Sequence, residues 1–456
     1  MQKTVQSRIP VLNSSIVLRS EYFGGLVFDR SHPPEMNLDR VRFQVACLCD
    51  GAHTVGEIEE QMRSRLEHSA EYVEYLVAGV LRTLKDSRFL YWRDRKLPEP
   101  LKIAPLRNEK DDHKNYLSAP INVIWEITDR CNLACKHCFS GSGQSAADQL
   151  DTDQVKRVID LLVDQKIFHI NFSGGEPLLR EDLAEIFRHA SQKNVSMDIS
   201  TNGILVTPET IRLLKESGIS SVQVSVDGLE QTHDLLRGMA GAFHRTWETI
   251  RLFVKTGLSV AVSTTVNKTN LNEIGGIIDL TVQSGAAVFK TTLFVPIGRG
   301  LSNRGELVLE RDDVRKLAEI MKRKQQQTRP HLQIDIEGCF PWLLDDGHRP
   351  GTREMTFSNI GCAAGNSTIF VASNGTVSPC PFLQQFPAGN LVSDNFNQLW
   401  ESKRLGMLRN LKAEDLKGKC RTCEYLGSKC FGGCRAAALA YDGDLYGEDP
   451  YCWKQS

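Results

Sequence analysis

The sequence predicts an α/β protein in three parts: an N-terminal winged-helix-like module, a partial (β/α)6 barrel and a cysteine-rich C-terminal domain. Three observations carry this. From Ile121 to about residue 330, strand-like and helical runs alternate six times, the signature of a parallel sheet with right-handed crossovers. Before them, short strand-like runs give way to three helical ones. After them, eight of the 13 cysteines fall between Cys339 and Cys452.

The chain has 456 residues, too many for one compact core. Lys and Arg number 55 against 56 Asp and Glu, a net charge of -1. Such a balance gives no strong field toward nucleic acid or a membrane surface. No run reaches the roughly 18 apolar residues of a membrane span. The N-terminus "MQKTVQSRIPVLNSS" lacks an apolar signal core, so a cytoplasmic location is expected. In that compartment cysteines serve as metal or redox groups rather than disulfides.

Residues 1–97 open with "IPVLN", "SIVLRSEYF" and "GGLVFD", with Gly24-Gly25 expected to turn the second into the third. "GGLVFD" is expected to be an edge strand. In "NLDRVRFQVACLCDG", Asn37 reads as an N-cap and Gly51 as a stop. Thr54 followed by Glu57 reads as a capping box. "AEYVEYLVAGVLRTLKDSRFL" is apolar at helical spacing. Cys47 and Cys49, in the first helix, read as buried structural thiols. Residues 98–118 are polar, charged and proline-bearing, a linker pattern.

Residues 119–330 carry the repeat. Its strands are "INVIWEIT", "HINFSGG", "SMDISTN", "SVQVSVDG", "SVAVSTTVN" and "VFKTTLFVP". Six units are two short of a full barrel, and an open doubly wound sheet is the competing topology. Residues 331–456 have poor periodicity among Gly, Pro and Asn. Metal sites are expected to hold such a segment together, because it lacks a large apolar core.

Cys131, Cys135 and Cys138 follow the first strand as C-x3-C-x2-C. Three thiolates suit an iron–sulfur cluster with one iron left open. A structural zinc site is the alternative, with His137 as a crowded fourth ligand. This loop resembles the signature of radical S-adenosylmethionine (SAM) enzymes. The resemblance implies a [4Fe-4S] cluster whose free iron chelates SAM and cleaves it to a 5′-deoxyadenosyl radical. It also implies a flavodoxin or ferredoxin as electron donor.

Further motifs extend the resemblance over about residues 120–300. "SGGEP", with Gly174, Gly175 and Glu176, is implied to hold the SAM amino group. "STNG", with Ser200 and Asn202, and "SVDG", with Ser225 and Asp227, are implied to serve its ribose and carboxylate. An ordinary strand-to-helix cap is the alternative for each. Arg237 resembles a family arginine near SAM. "VPIGRG" is implied to lie near the adenine. His137 stands where the family has an aromatic ring packing on adenine. No side chain stands out as a general base.

The tail spacing is similar to the SPASM extension, which binds two auxiliary iron–sulfur clusters. By that resemblance Cys362, Cys380 and Cys434 ligate the first, with Cys339 as a candidate fourth ligand. Cys420, Cys423, Cys430 and Cys452 ligate the second. Six residues separate Cys423 from Cys430 where the family has five. Zinc ribbons are the alternative. "GNSTIFVASNGTVSPCPFL" resembles the peptide maturases for pyrroloquinoline quinone and mycofactocin. Residues 1–97 resemble the PqqD-like leader-binding protein of such systems, which takes a peptide strand on a sheet edge.

The leading expectation is therefore a maturase that cross-links a ribosomal precursor peptide through a thioether, carbon–carbon or carbon–oxygen bond. The alternatives are oxidative decarboxylation of a porphyrin side chain and a redox-sensing DNA-binding regulator. Residues 1–97 hold 14 Lys and Arg against 13 Asp and Glu, which lacks the basic stripe of a DNA reader.

Overall fold

A computed structural model describes residues 5–30, 35–103, 115–143, 148–193, 195–337, 360, 362–427 and 430–454. The chain forms two compact units, Met1–Ser118 and Ala119–Ser456. Among the described residues no helix is long and apolar enough to cross a membrane.

The first unit contains β1 (Ile9–Leu12), β2 (Ile16–Glu21), β3 (Gly24–Asp29) and β4 (Met36–Asp39). Helices α1 (Arg40–Cys47), α2 (Val55–Arg65) and α3 (Ala70–Asp86) follow, then β5 (Leu90–Arg93). β1 pairs with β5, and a second antiparallel sheet has the order β2-β3-β4. The strand "GGLVFD" is thus central, and the edges are β2 and β4. The sequence hid this because "MNLD" is too short and too polar to read as a strand. Asn37 lies in β4, and Asp39 caps α1 by accepting the Arg42 N–H at 2.8 Å. The capping box at Thr54 and Glu57 is formed.

The β2–β3 turn is Tyr22-Phe23, since Glu21 pairs with Gly24. Gly24 and Gly25 instead make room. A Cβ on Gly25 would lie 2.2 Å from the Phe43 ring, and one on Gly24 2.3 Å from the Asp39 carbonyl carbon. Cys49 is buried, with Sγ 3.4 Å from the Val45 carbonyl, and burial pushes its thiol well up. Cys47 packs partly buried on the same core. Part of the expected linker is ordered on this unit: Leu101 and Ile103 pack on its core. The Ser118 N–H donates to Glu21 at 2.7 Å.

The second unit is built on parallel strands β6 (Asn122–Glu126), β7 (His169–Ser173), β8 (Ser196–Thr201), β9 (Ser221–Ser225), β10 (Val260–Val266), β11 (Val288–Leu293) and β12 (Gln333–Glu337). Their order in the sheet follows their order in the chain. One-handed crossovers that always advance the same way put every helix on one face, which curls the sheet into a partial barrel. A doubly wound sheet would reverse direction at a switch point. The helices are α4 (Thr152–Asp164), α5 (Leu183–Ser191), α6 (Pro208–Glu216), α7 (Glu230–Arg237), α8 (Ala242–Lys255), α9 (Ile274–Ser284) and α10 (Arg311–Thr328).

Two features differ from the six-unit expectation. β12 adds a seventh strand beyond residue 330. On the other side, β13 (Thr368–Val371) pairs parallel with β6, Thr368 facing Asn122. Short strands β14 (Thr376–Ser378) and β15 (Gly389–Asn390) continue from it. The cysteine-rich segment is therefore hydrogen-bonded into the barrel sheet.

Alternation along the strands sorts the side chains. Val123, Trp125, Ile170, Phe172, Val222, Val224 and Phe289 are buried completely, and Phe172 packs on Phe187 of α5. Such side chains contribute about 1.5–3 kcal/mol each. The opposite, concave face carries half-buried Asn171, Asp198, Ser200, Gln223, Ser225, Ser263, Thr265, Lys290 and Thr292. Helix α7 escaped the sequence reading because no side chain caps it. The Leu229 N–H is instead satisfied by Glu273 at 2.7 Å, a tertiary substitute invisible in local sequence.

Candidate active site and cysteine groups

The loop after β6 brings Cys131, Cys135 and Cys138 to the C-terminal end of the sheet. Backbone bonds pin it, from Cys131 N–H to the Gly143 carbonyl at 3.0 Å and from Lys136 N–H to that of Leu236 at 2.8 Å. "VPIGRG" braces it further. Arg299 donates to the Cys135 carbonyl at 3.1 Å and the Ser142 carbonyl at 2.7 Å. Asn303 donates to that of Lys136 at 2.9 Å. Neither Arg299 nor Asn303 was singled out from sequence. The signal lay in the "GRG" that follows the sixth strand.

The "SGGEP" glycines press the end of β7 onto the residues leading into this loop. A Cβ on Gly174, at φ +148°, would lie 2.5 Å from the Thr128 carbonyl oxygen, and one on Gly175 2.3 Å from that of Arg130. The close approach is made by the chain itself. Glu176 is fully buried and accepts from Thr201 Oγ1 and the Asn202 N–H, both at 2.8 Å, and from the Leu178 N–H at 3.2 Å. Burial pushes its carboxyl up to about 7, against the pull of these donors. Asn202 Nδ2 donates to Asn132 Oδ1 at 2.8 Å, tying the third strand to the cysteine loop. Ser200 donates to Asn171 at 3.1 Å, and Ser225 stands half-buried at the end of β9.

Asp227 organises a buried charge network. It forms an ion pair with Arg237 Nη2, lies 3.0 Å from His137 Nε2 and accepts the Thr265 N–H at 2.8 Å. Its own N–H donates to His233 Nδ1 at 3.1 Å. Burial alone would raise the Asp227 carboxyl, but Arg237 and His137 hold it below the usual range. Burial pushes His233 down to about 4. Arg237 Nη1 points at Cys135 Sγ, 3.7 Å away.

In the tail, Cys362, Cys380 and Cys434 pack around one apolar group of Ala364, Leu383, Leu408, Ala436 and Leu445. Burial, then the neighbouring thiols, push Cys380 well up. Cys420, Cys423, Cys430 and Cys452 line a single recess, with Lys419, Lys454 and Asp449 on its wall. Asp449 accepts the Cys434 N–H at 2.5 Å and the Tyr451 N–H at 2.8 Å, so it connects the two cysteine groups. Cys339 lies outside the described residues.

These residues fit iron–sulfur clusters and SAM. The donors are thiols grouped three, three and four. Two buried atoms beside the first group, Arg237 Nε and His137 Nδ1, have no partner among the described residues. Among the described residues no three His, Cys, Asp or Glu side chains converge as they would on a single metal ion.

The Radical SAM superfamily model matches residues 125–281, and that of SPASM, an iron-sulfur cluster-binding domain, matches 362–424. AdoMet-dependent heme synthase of Methanosarcina barkeri is 36% identical over 74% of this chain and 97% of its own length. Mycofactocin maturase MftC of Mycolicibacterium smegmatis is 31% identical over 77% of this chain and 87% of its own. Streptococcus suis SuiB bound to precursor peptide SuiA shares the fold, with a TM-score of 0.74 at 18% identity, over 98% of this chain and 100% of that one.

Proposed function

The chain belongs to the radical SAM superfamily and carries a SPASM domain, and from that premise we propose that it modifies a ribosomally made precursor peptide. It is an enzyme whose radical SAM domain binds a [4Fe-4S] cluster and SAM, and whose SPASM domain binds auxiliary iron–sulfur clusters. When bound, the first cluster supplies the electron that cleaves SAM to a 5′-deoxyadenosyl radical. Cys131, Cys135 and Cys138 hold that cluster, with Asn202, Ser225, Asp227 and Arg237 facing SAM. Cys362, Cys380 and Cys434 hold one auxiliary cluster and the four cysteines of the recess another.

The observation that carries the peptide reading is the separate unit Met1–Ser118. The heme synthase aligns over 74% of this chain and mycofactocin maturase MftC over 77%, so neither spans the whole of it. SuiB, which shares the fold over 98% of this chain, is a protein that binds a precursor peptide. In this reading the first unit is PqqD-like, and a leader peptide adds to an open edge of the β2-β3-β4 sheet. The concave face of the barrel agrees. Its strands offer hydroxyls and amides beside Lys290 and an ion pair of His169 with Asp198, polar groups that suit a peptide backbone. The product is a cross-link, and a flavodoxin or ferredoxin supplies the electron.

A second reading, oxidative decarboxylation of a porphyrin side chain, is favoured by the 36% identity to a heme synthase. Membership in an enzyme family removes the support for a DNA-binding regulator.

The test uses full-length enzyme and a variant lacking residues 1–118, each with SAM and the peptide encoded by a short reading frame beside the gene. Deletion leaves slow, substrate-independent SAM cleavage and abolishes peptide modification, read by mass spectrometry. The first unit added in trans restores part of it. Full modification by the truncated enzyme, or turnover of a propionate-bearing porphyrin instead, overturns the peptide reading.

A further inference from the structure

The mechanism implied by resemblance sets Arg237 against SAM. In the structure two of its three guanidinium nitrogens are engaged elsewhere. Arg237 closes α7 and is 8% exposed. Nη2 pairs with Asp227, and Nη1 donates to Cys135 Sγ at 3.7 Å. Asp227 is fully buried and fixed from three sides, by the Thr265 N–H, by His137 Nε2 and by its own N–H to His233. The helix end is also latched to the cysteine loop through the Lys136 N–H and the Leu236 carbonyl. Donor and sulfur therefore have little freedom to separate.

We propose that Arg237, aimed by Asp227, is a positioning residue that sets the reduction potential of the cluster held by Cys131, Cys135 and Cys138. Hydrogen bonds to cluster sulfurs are one of the levers by which a protein tunes such potentials. The reduced cluster carries one more negative charge, so its thiolates accept hydrogen bonds more strongly. A fixed N–H donor at Cys135 stabilises the reduced form more than the oxidised one and raises the potential. The Asp227 carboxylate cancels the arginine charge, so the effect is local to this sulfur. Arg237 Nε, which has no partner among the described residues, remains available to face SAM. The inference rests on the ligand assignment of the three cysteines and is independent of the substrate reading.

The experiment is an EPR-monitored redox titration of anaerobically loaded full-length protein, run without SAM. The site cluster is identified in a parallel sample as the signal that SAM perturbs. Arg237→Met is expected to lower its midpoint enough to cut the reduced-to-oxidised ratio about tenfold at the wild-type midpoint, which for one electron is about 59 mV. Arg237→Lys, which keeps the charge but loses the fork, falls between. The tail signals stay in place. If either Arg237 variant retains full iron with an unchanged midpoint, the proposal is overturned. Should Arg237→Met lose iron at this site, the Arg237→Lys midpoint decides. The ligand assignment fails separately, if changing the three cysteines to Ala leaves the SAM-perturbed signal intact.

Discussion

The three cysteines after β6 and the seven described cysteines of the tail are held by opposite means. The first group sits on a loop braced by side chains from three strand ends and the end of α7, with Asn202, Asp227, Arg237 and Arg299 each bonded to it directly or through a neighbour. Beneath it lies a continuous sheet with completely buried Trp125, Phe172 and Phe289. The tail groups rest on short turns and on two small apolar groups, one of Leu411, Leu416 and Cys420 and one around Leu383 and Leu408. Burial pushes the Cys434 thiol up to about 12 and that of Cys131 to about 11. Neither of these two thiols is therefore ionised without a metal. The difference lies in what remains when the metal is gone. The barrel keeps its core, whereas the tail loses the cross-links that replace one.

The largest effect that separates the two regions is loss of chemistry with retention of metal. Changing Cys131, Cys135 and Cys138 together to Ala abolishes 5′-deoxyadenosine formation with dithionite, while tail iron persists. Loaded wild-type protein holds about twelve irons if all three clusters are cubanes. A triple variant that still cleaves SAM breaks the assignment. Zinc in place of tail iron, read by elemental analysis, removes the electron-accepting role of the tail.

Iron removal tests the contrast directly. After anaerobic chelation, limited proteolysis is expected to cut within residues 360–454 at least tenfold faster than in loaded protein. The fragment spanning β6 to β12 should resist as before. Equal protection of both regions would show that the tail folds without its metal.

The same contrast explains what the sequence revealed. The six strands were legible because Val, Ile, Thr and Ser recur at period two between helical runs, a local signal. The cysteine sets were legible because ligand spacing is itself local. Helix α7 was not, because the N–H of Leu229 at its start is satisfied by Glu273, 44 residues away. The edge assignment of "GGLVFD" failed because the four residues of β4 carry little strand propensity, so its partner was invisible. The clamp of Arg299 on the cysteine loop spans 164 residues. Long-range donors of this kind build the first site, and periodicity does not encode them.

A smaller effect sharpens the comparison inside the tail. Gly433 has φ +75°, and a Cβ there would lie 2.5 Å from Cβ of Asp449, the carboxylate that bridges the two tail groups. Left-handed backbone costs a non-glycine residue about 1–2 kcal/mol before any clash. Gly433→Ala should lower tail iron several-fold in elemental analysis and leave substrate-independent SAM cleavage within about twofold. Equal loss of both would mean that the two regions are not separable.

The smallest expected effect tests whether the barrel stands on its own electrostatics. Glu126 ends β6, is 3% exposed, and accepts from Ser142 Oγ at 3.4 Å. Burial first, then the charge of Asp129, push its carboxyl from 4.5 up to about 7, against Ser140 and Ser142. The folded chain thus binds this proton more tightly than the unfolded chain. The stabilisation is complete below about pH 4 and is lost as pH rises toward 7, where the buried carboxyl must ionise. At about 1.4 kcal/mol per pH unit the loss is at most about 3.5 kcal/mol. Glu126→Gln keeps the shape and cannot ionise, so its urea stability should fall less than wild type between pH 4.5 and pH 8. Fluorescence of the buried tryptophans, Trp125 among them, follows barrel unfolding in loaded protein. An identical pH dependence in the variant would mean that Glu126 stays ionised in the folded barrel, and that Ser140 and Ser142 solvate it fully.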